Sequence, residues 1–232
     1  MPRRTIAIIV PLVLLASGLR AAPPREETKA PFEPVQVLRV VPPDYPSGSI
    51  ATGTVILKVT VGPSGNVRRL DVTHGIASLT SAAEQAVRRW QFRPARLAGS
   101  TTRSSTTAAI SFVSTFASVP SWTAPPTRER ASRFEPVQAV SVTGAVFPFT
   151  SGAVQGYPPF VTVVLRVTVG RSGDIAHIDV LRGVTSLTKE AERTLRKWHF
   201  RPARLGGMPV ASQMIATFTF RLWLGPMNSP QK

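Results

Sequence analysis

The 232-residue chain has no cysteine. That removes disulfide frameworks, thiolate catalysis, sulfur-linked lipid anchors and cysteine-bound zinc together. Any stable fold must be held by packing alone. Acidic residues are scarce as well, 12 Asp and Glu against 28 Lys and Arg, for a formal net charge of +16. Such a surface favours anionic partners: lipid head groups, cell-wall polymers or nucleic acid. The charges are scattered, with no long single-sign block and no nucleic-acid motif, so no nucleic-acid partner is expected. Long hydrophobic runs are missing too. The best one, Thr5 to Leu19, is shorter than the ~20 residues that cross a bilayer, and Pro11 breaks it. With Arg3 and Arg4 before it and small residues after it, residues 1–21 have the layout of a secretory signal, cleaved after Gly18 or Ala21. A short uncleaved anchor is the competing reading.

What the chain does have is a repeat. "WQFRPARLAGS" begins at Trp90 and "WHFRPARLGGM" at Trp198. Residues 54–97 align without gaps on 162–205, identical at more than half the positions, and "FEPVQ" occurs at Phe32 and again at Phe134. The upstream match is offset differently, so the second copy carries a short insertion before its first strong strand. Two units of roughly 90 residues account for nearly everything after the N-terminal thirty, each near the lower end of self-sufficient domain size. The organisation expected is a leader (1–21), a linker (22–31), a first domain (32–116), a Pro/Ser/Thr/Arg-rich linker (117–133), a second domain (134–224) and a tail (225–232).

Within each unit the hydrophobic period changes in a fixed order. Val55, Leu57, Val59 and Val61 alternate with Ile56, Lys58 and Thr60, as Val163, Leu165, Val167 and Val169 do in the second copy. Period two predicts a half-buried strand. Gly-rich turns follow, "GPSGN" and "GRSGD", then a second strand carrying Leu70 and Val72, matched by Ile178 and Val180. Helical spacing comes next. Ala83, Ala86, Val87 and Trp90 recur at i, i+3, i+4 and i+7, with Thr80 where a cap is wanted, Glu84 facing Arg88, and Pro94 as the stop. The twin runs through Thr188, Ala191, Thr194, Leu195 and Trp198, with Glu192 facing Arg196, to Pro202. Trp90 with Phe92, and Trp198 with Phe200, read as a helix end locking onto a sheet. A last alternating strand closes each unit. The fold class expected is α+β: two tandem small domains, each a three-stranded antiparallel sheet covered by one main helix, in the order strand, strand, helix, strand.

Catalysis finds little support. None of His74, His177 and His199 is matched by His in the other copy. Asp71 and Asp179, and Glu84 and Glu192, do persist, but no Ser-His-Asp or metal-ligand spacing joins them. The chain reads as no enzyme, with no metal and no cofactor.

The repeat unit resembles the C-terminal domain of TonB energy transducers. The resemblance lies in Tyr45 and Pro46, the Gly53-x-Val55 strand opening, the valine-rich strand, the "SLT.AAE.AVRRW.F.PA" helix and exit, and the terminal hydrophobic strand. It covers about 42–116 and, more weakly at its start, 144–222, where Phe147-Pro148 replaces Tyr-Pro and Gly53 has no clear counterpart. The resemblance implies a periplasmic protein that binds TonB-box peptides of outer-membrane receptors by adding them to the edge of its C-terminal strand. Carried onto this chain, the docking edges are Thr107, Ala108, Ala109, Ile110, Ser111, Phe112, Val113 and Ser114 in the first copy. In the second they are Ile215, Ala216, Thr217, Phe218, Thr219, Phe220 and Arg221. An unpaired edge has free N–H and C=O groups for a peptide to satisfy. The alternative is that these edges pair with the other repeat or with a second chain in a homodimer. Energy transducers also carry a membrane helix with a motor-engaging Ser and His and a long Pro-rich spacer; here the apolar segment has no His and the spacer is short. A tandem periplasmic binding module fits better than a self-sufficient transducer, its partners being TonB-dependent receptors or other periplasmic proteins. A basic scaffold adhering to peptidoglycan or anionic lipid is the alternative.

Overall fold

The structure is a computed structural model describing residues 32–47, 49–114, 120–124, 134–146 and 160–221. The leader, the first linker, most of the second linker, Phe147-Pro148 with the insertion, and the tail lie outside the described residues.

In chain order the first copy supplies β1 (Phe32–Glu33), β2 (Gln36–Arg39), β3 (Gly53–Val61), β4 (Val67–His74), α1 (Ala77–Arg88), β5 (Gln91–Arg93), β6 (Ala95–Leu97), β7 (Ser100–Thr102) and β8 (Ser104–Ser114). Inside the second linker comes β9 (Trp122–Thr123). The second copy supplies β10 (Phe134–Glu135), β11 (Gln138–Val142), β12 (Phe160–Val169), β13 (Ile175–Arg182), α2 (Thr185–Leu195), β14 (His199–Arg201), β15 (Ala203–Leu205), β16 (Met208–Val210) and β17 (Ser212–Arg221). Mixed α and β with strands predominating agrees with the α+β expectation. The short strands before the first long strand and after each helix are additions that periodicity over two or three residues cannot reveal.

The six long strands form one sheet in the order β13-β12-β17-β8-β3-β4. Within each copy neighbours are antiparallel, β4 on β3 on β8 and β13 on β12 on β17. The copies join through β8 and β17, which run parallel.

The register of that join decides the layers. Ile110 lies beside Thr217, one residue away from its repeat counterpart Phe218. Because side chains alternate faces along a strand, a one-residue offset turns the two copies to opposite faces. Accordingly Val55, Leu57, Val59, Ile110 and Phe112 pack with Leu79, Ala83 and Val87 of α1, and are joined there by Val164 and Ile215 of the second copy. Val163, Leu165, Val167, Phe218 and Phe220 pack with Leu187, Ala191 and Leu195 of α2, joined by Ile56, Ala109 and Val113 of the first. Each core borrows side chains from the other copy, and both copies fall in one compact unit, residues 31–232.

Several local expectations are corrected. Ile56, on the supposed outer face of its half-buried strand, is 2% exposed, while Val72 and Val180 of the neighbouring strands are 44% and 48% exposed. Thr80 is not the cap: α1 starts at Ala77 after Ile76, and the Thr80 hydroxyl sits inside the first turn, donating to the Ile76 carbonyl at 2.9 Å and accepting from the Ile76 N–H. Nor does Pro94 stop the helix. α1 ends at Arg88, Trp90 N–H donates to Val87 O in a tight last turn, and Pro94 falls between β5 and β6, as Pro202 falls between β14 and β15. Among the described residues the ion pair on α2 is Glu190 with Arg193 at 2.9 Å, not Glu192 with Arg196.

The twice-written phrase ties each helix exit to the segment that opens its own copy. Trp90 is 4% exposed and its Nε1–H donates to Val41 O at 2.9 Å; Trp198 does the same to Thr143 O at 2.8 Å. Phe92 lies opposite Val37 in the β2–β5 ladder, and Arg93 reaches the Gln36 side chain as Arg201 reaches Gln138. The hairpin glycines close against this phrase. Gly65 and Gly173 have φ of +82° and +96°, and a Cβ there would stand 2.3 and 2.5 Å from the carbonyl oxygens of Phe92 and Phe200. Only glycine meets both demands.

Candidate functional site: the paired C-terminal strands

The sequence points to the last long strand of each copy, and the structure brings these two strands together. Ala108 to Ser114 pair with Ile215 to Arg221 along their outer edges, in continuous register. Their inner edges are held by β3 and β12. Thr107 belongs to the same strand and donates its hydroxyl hydrogen to Val137 O of the second copy, and Thr106 donates likewise to Gln213 O at 3.0 Å. In this arrangement both proposed docking edges lie in the middle of the sheet, each satisfied by the other. The open edges of the six-stranded sheet are β4 and β13.

Tyr45 shows why its copy of the motif matters. It is 6% exposed, donates to Ala51 O, meets Phe112 edge-on with centroids 5.4 Å apart, and stacks on Phe160 of the second copy at 5.8 Å. The Arg221 guanidinium lies 5.6 Å from its ring centre and donates to Ser49 O at 2.7 Å. Burial raises the Tyr45 phenol above its ordinary pKa, against a smaller lowering by Arg221. Arg221, assigned from sequence to a docking edge, thus bridges the two copies. Of the remaining motif positions, Gly53 opens β3 opposite Phe112, and Pro46 accepts from Ser49 N–H in the following turn.

The duplicated aspartates have structural partners. Asp71 accepts from Arg69 at 2.6 Å and Asp179 contacts His177 at 3.0 Å, each pair two residues apart on an exposed strand. His74 is different: its ring lies 4.4 Å from that of Trp122, and burial lowers its pKa. No cluster of three or more His, Cys, Asp or Glu fit for a metal exists among the described residues, nor does any helix there have the length and apolarity to cross a membrane.

Sequence reasoning missed β9. Trp122 and Thr123, inside what reads as linker, pair antiparallel with Val142 and Ser141 of β11, and Ala124 N–H donates to Val140 O at 2.6 Å. A lone Trp in a Pro/Ser/Thr-rich stretch was the available signal, since a large apolar ring gains by finding cover.

The family model for the Gram-negative bacterial TonB protein C-terminal matches residues 42–114 and 161–222, once in each repeat and over more than half the chain. The second match begins beyond the insertion, where the motif is altered. A search of curated proteins returns no match. With both repeats matched on the sheet and helix just described, the chain belongs to the TonB C-terminal family, whose members are non-enzymatic cell-envelope proteins that act with outer-membrane receptors in energy-coupled transport.

Proposed function

We propose that this protein works in the periplasm as a tandem receptor-binding module, taking up an extended TonB-box-like segment of an outer-membrane receptor as an added strand on β8 or β17. The observation that carries the reading is that each strand already accepts a neighbour along its outer edge, over the seven pairs from Ala108–Ile215 to Ser114–Arg221. Here the neighbour is the sister strand. Receptor docking is then an exchange: the peptide replaces the sister's backbone hydrogen bonds, and its alternate side chains refill the places of Ile215 and Val164 in one core, or of Ala109 and Val113 in the other. Each buried aliphatic side chain left uncovered would cost about 1.5–3 kcal/mol, so a peptide of small polar residues alone cannot displace the sister strand.

NMR titration of the mature chain with TonB-box peptides tests this. Shifts at residues 107–114 or 215–221 that survive moderate salt, and their loss in folded Ile110→Pro or Phe218→Pro variants, are expected. Unaltered binding in both proline variants would sink the reading.

A second reading has its own observation. With β8 and β17 mutually paired, the outer strands carry Arg68, Arg69, Asp71, His177, Asp179 and Arg182, charges of the kind that blunt strand addition. A closed, basic module of this type would adhere to peptidoglycan or anionic lipid through its arginines. Binding to anionic vesicles that falls steeply with salt and ignores the proline variants favours it.

A further inference from the structure

The two copies differ at one place where the sheet architecture is otherwise duplicated. In the second copy, β11 has β14 on one edge and β9 on the other. In the first copy the counterpart, β2, is paired with β5 alone, and its outer edge meets no described strand. Exposure follows the difference. Val140 and Val142 lie beside β9, and Val142 is fully buried; their counterparts are Leu38, 59% exposed, and Val40, half-buried.

The ground beside that free edge is shaped to match. Next to β11, the Trp122 ring covers His74 at the end of β4, and Ala124 sits over a small cleft lined by Ile56, Lys58 and Thr73. The repeat counterparts of His74, Lys58 and Thr73 are Arg182, Arg166 and Leu181. Of these, Arg182 lines an open cleft of about 350 Å³ between Pro42, Pro43 and Tyr45 of the first copy and Phe160 and Thr162 of the second. Phe160, which lines that cleft, and Leu38, on β2, are among the large apolar side chains left exposed. An edge that no described strand pairs, beside a largely apolar cleft, is what an added strand would satisfy.

We propose that the outer edge of β2 at Leu38–Val40, with the cleft toward Arg182, is a second docking site for an extended segment of a partner polypeptide carrying an aromatic residue. The segment adds antiparallel, as β9 does to β11. Its ring lies over the Arg182 guanidinium where Trp122 lies over His74, a contact that a planar cation supports. The occupant's chemistry is read from the segment seated on the equivalent edge of the same molecule. The chain's own counterpart of that segment does not supply the ring: Ala22-Pro23-Pro24 repeats Ala124-Pro125-Pro126, but Arg20 stands where Trp122 does. This site is separate from β8 and β17, so it stands or falls independently of the receptor reading.

The probe is a synthetic peptide with the sequence of residues 120–126, Pro-Ser-Trp-Thr-Ala-Pro-Pro, titrated into the full chain and followed by backbone amide NMR. Saturable shifts are expected at Leu38, Arg39, Val40 and Arg182–Val184. The same peptide with Trp replaced by Ala should bind about tenfold more weakly. A Leu38→Pro variant with an unchanged melting temperature should bind more weakly as well. Each of the following overturns the proposal: no shift, shifts confined to Val140–Val142 from exchange of the resident strand, equal binding of the Trp→Ala peptide, or a concentration-dependent dimer that the peptide dissociates, which would make a second copy the occupant. Shifts confined to residues 107–114 and 215–221 would support the receptor reading and overturn this one.

Discussion

Ile56 offers the sharpest test of the shared sheet. On its own strand it sits between Val55 and Leu57, on the face away from α1, and an independent first domain would leave it in water. In the structure it is 2% exposed and belongs to the core organised by α2. Ile56→Ala removes three carbons, worth ~0.8 kcal/mol each in transfer, and leaves a cavity between two copies that cannot collapse freely, so a loss of about 2–4 kcal/mol is expected. For a cooperative unit of this size that lowers the melting temperature by about 5–15 °C. Urea unfolding followed by tryptophan fluorescence reads it as a lower midpoint at constant m value, in one transition, because the core that loses the contact is built from both copies. The control is Val72→Ala on β4. Val72 is an aliphatic residue of similar kind but is 44% exposed, and its truncation should cost less than about 0.5 kcal/mol. If Val72→Ala proved the costlier, or Ile56→Ala cost under about 0.5 kcal/mol, the two copies would not share a sheet as described.

Three further outcomes follow from local geometry. Gly65→Ala forces a Cβ to 2.3 Å from Phe92 O at a φ of +82° and should destabilise by about 1–3 kcal/mol, whereas Gly99→Ala, at a φ of +79° but with open space around it, costs only the backbone part, about 1 kcal/mol; chemical denaturation separates them. Trp90→Phe keeps most of the ring but removes the donor to Val41 O, a loss of about 1–3 kcal/mol from the stranded carbonyl and the smaller ring, seen as a lower urea midpoint. His74, whose pKa burial lowers, is protonated more readily in the unfolded chain. Stability is therefore full above the ordinary imidazole range, declines as pH falls through about 6.5, and levels off below the folded value. Thermal melts across that window should lose this slope in His74→Gln; an identical slope in the variant would refute the assignment.

Much of the fold was legible because local pattern and local structure coincide. The period-two runs at 55–61 and 163–169 became β3 and β12, and the helical stripes through Ala83 and Ala191 became α1 and α2. Boundaries were less legible. Thr80 looks like a cap, and only its contact with Ile76 shows it one turn further in. The short strands at 91–97 and 199–205 hold their places through distant segments, β1, β2, β10 and β11, and such pairings leave no periodic trace. At the candidate site the residues were legible as a strand, and pairing with the other repeat stood as one alternative beside an open docking edge, but nothing in the reading chose between them. Ala108, Ala109, Ile110, Phe112 and Val113 form a nearly continuous apolar run, the pattern of a strand covered on both faces, and that was the signal for a central position.

The sequence by itself determined the duplication, the basic and cysteine-free character, the two helices, the long strands and the family. These rest on side-chain periodicity and on motifs confined to a few turns or strands. Tertiary structure alone decided that β8 and β17 pair, that they run parallel one residue away from the repeat register, and that α1 and α2 therefore lie on opposite faces of one sheet. The physical reason is that lateral strand pairing is made by backbone N–H and C=O groups common to every residue. The choice among partners is settled only when the side chains above and below, Ile56 and Val164 among them, find a core to enter.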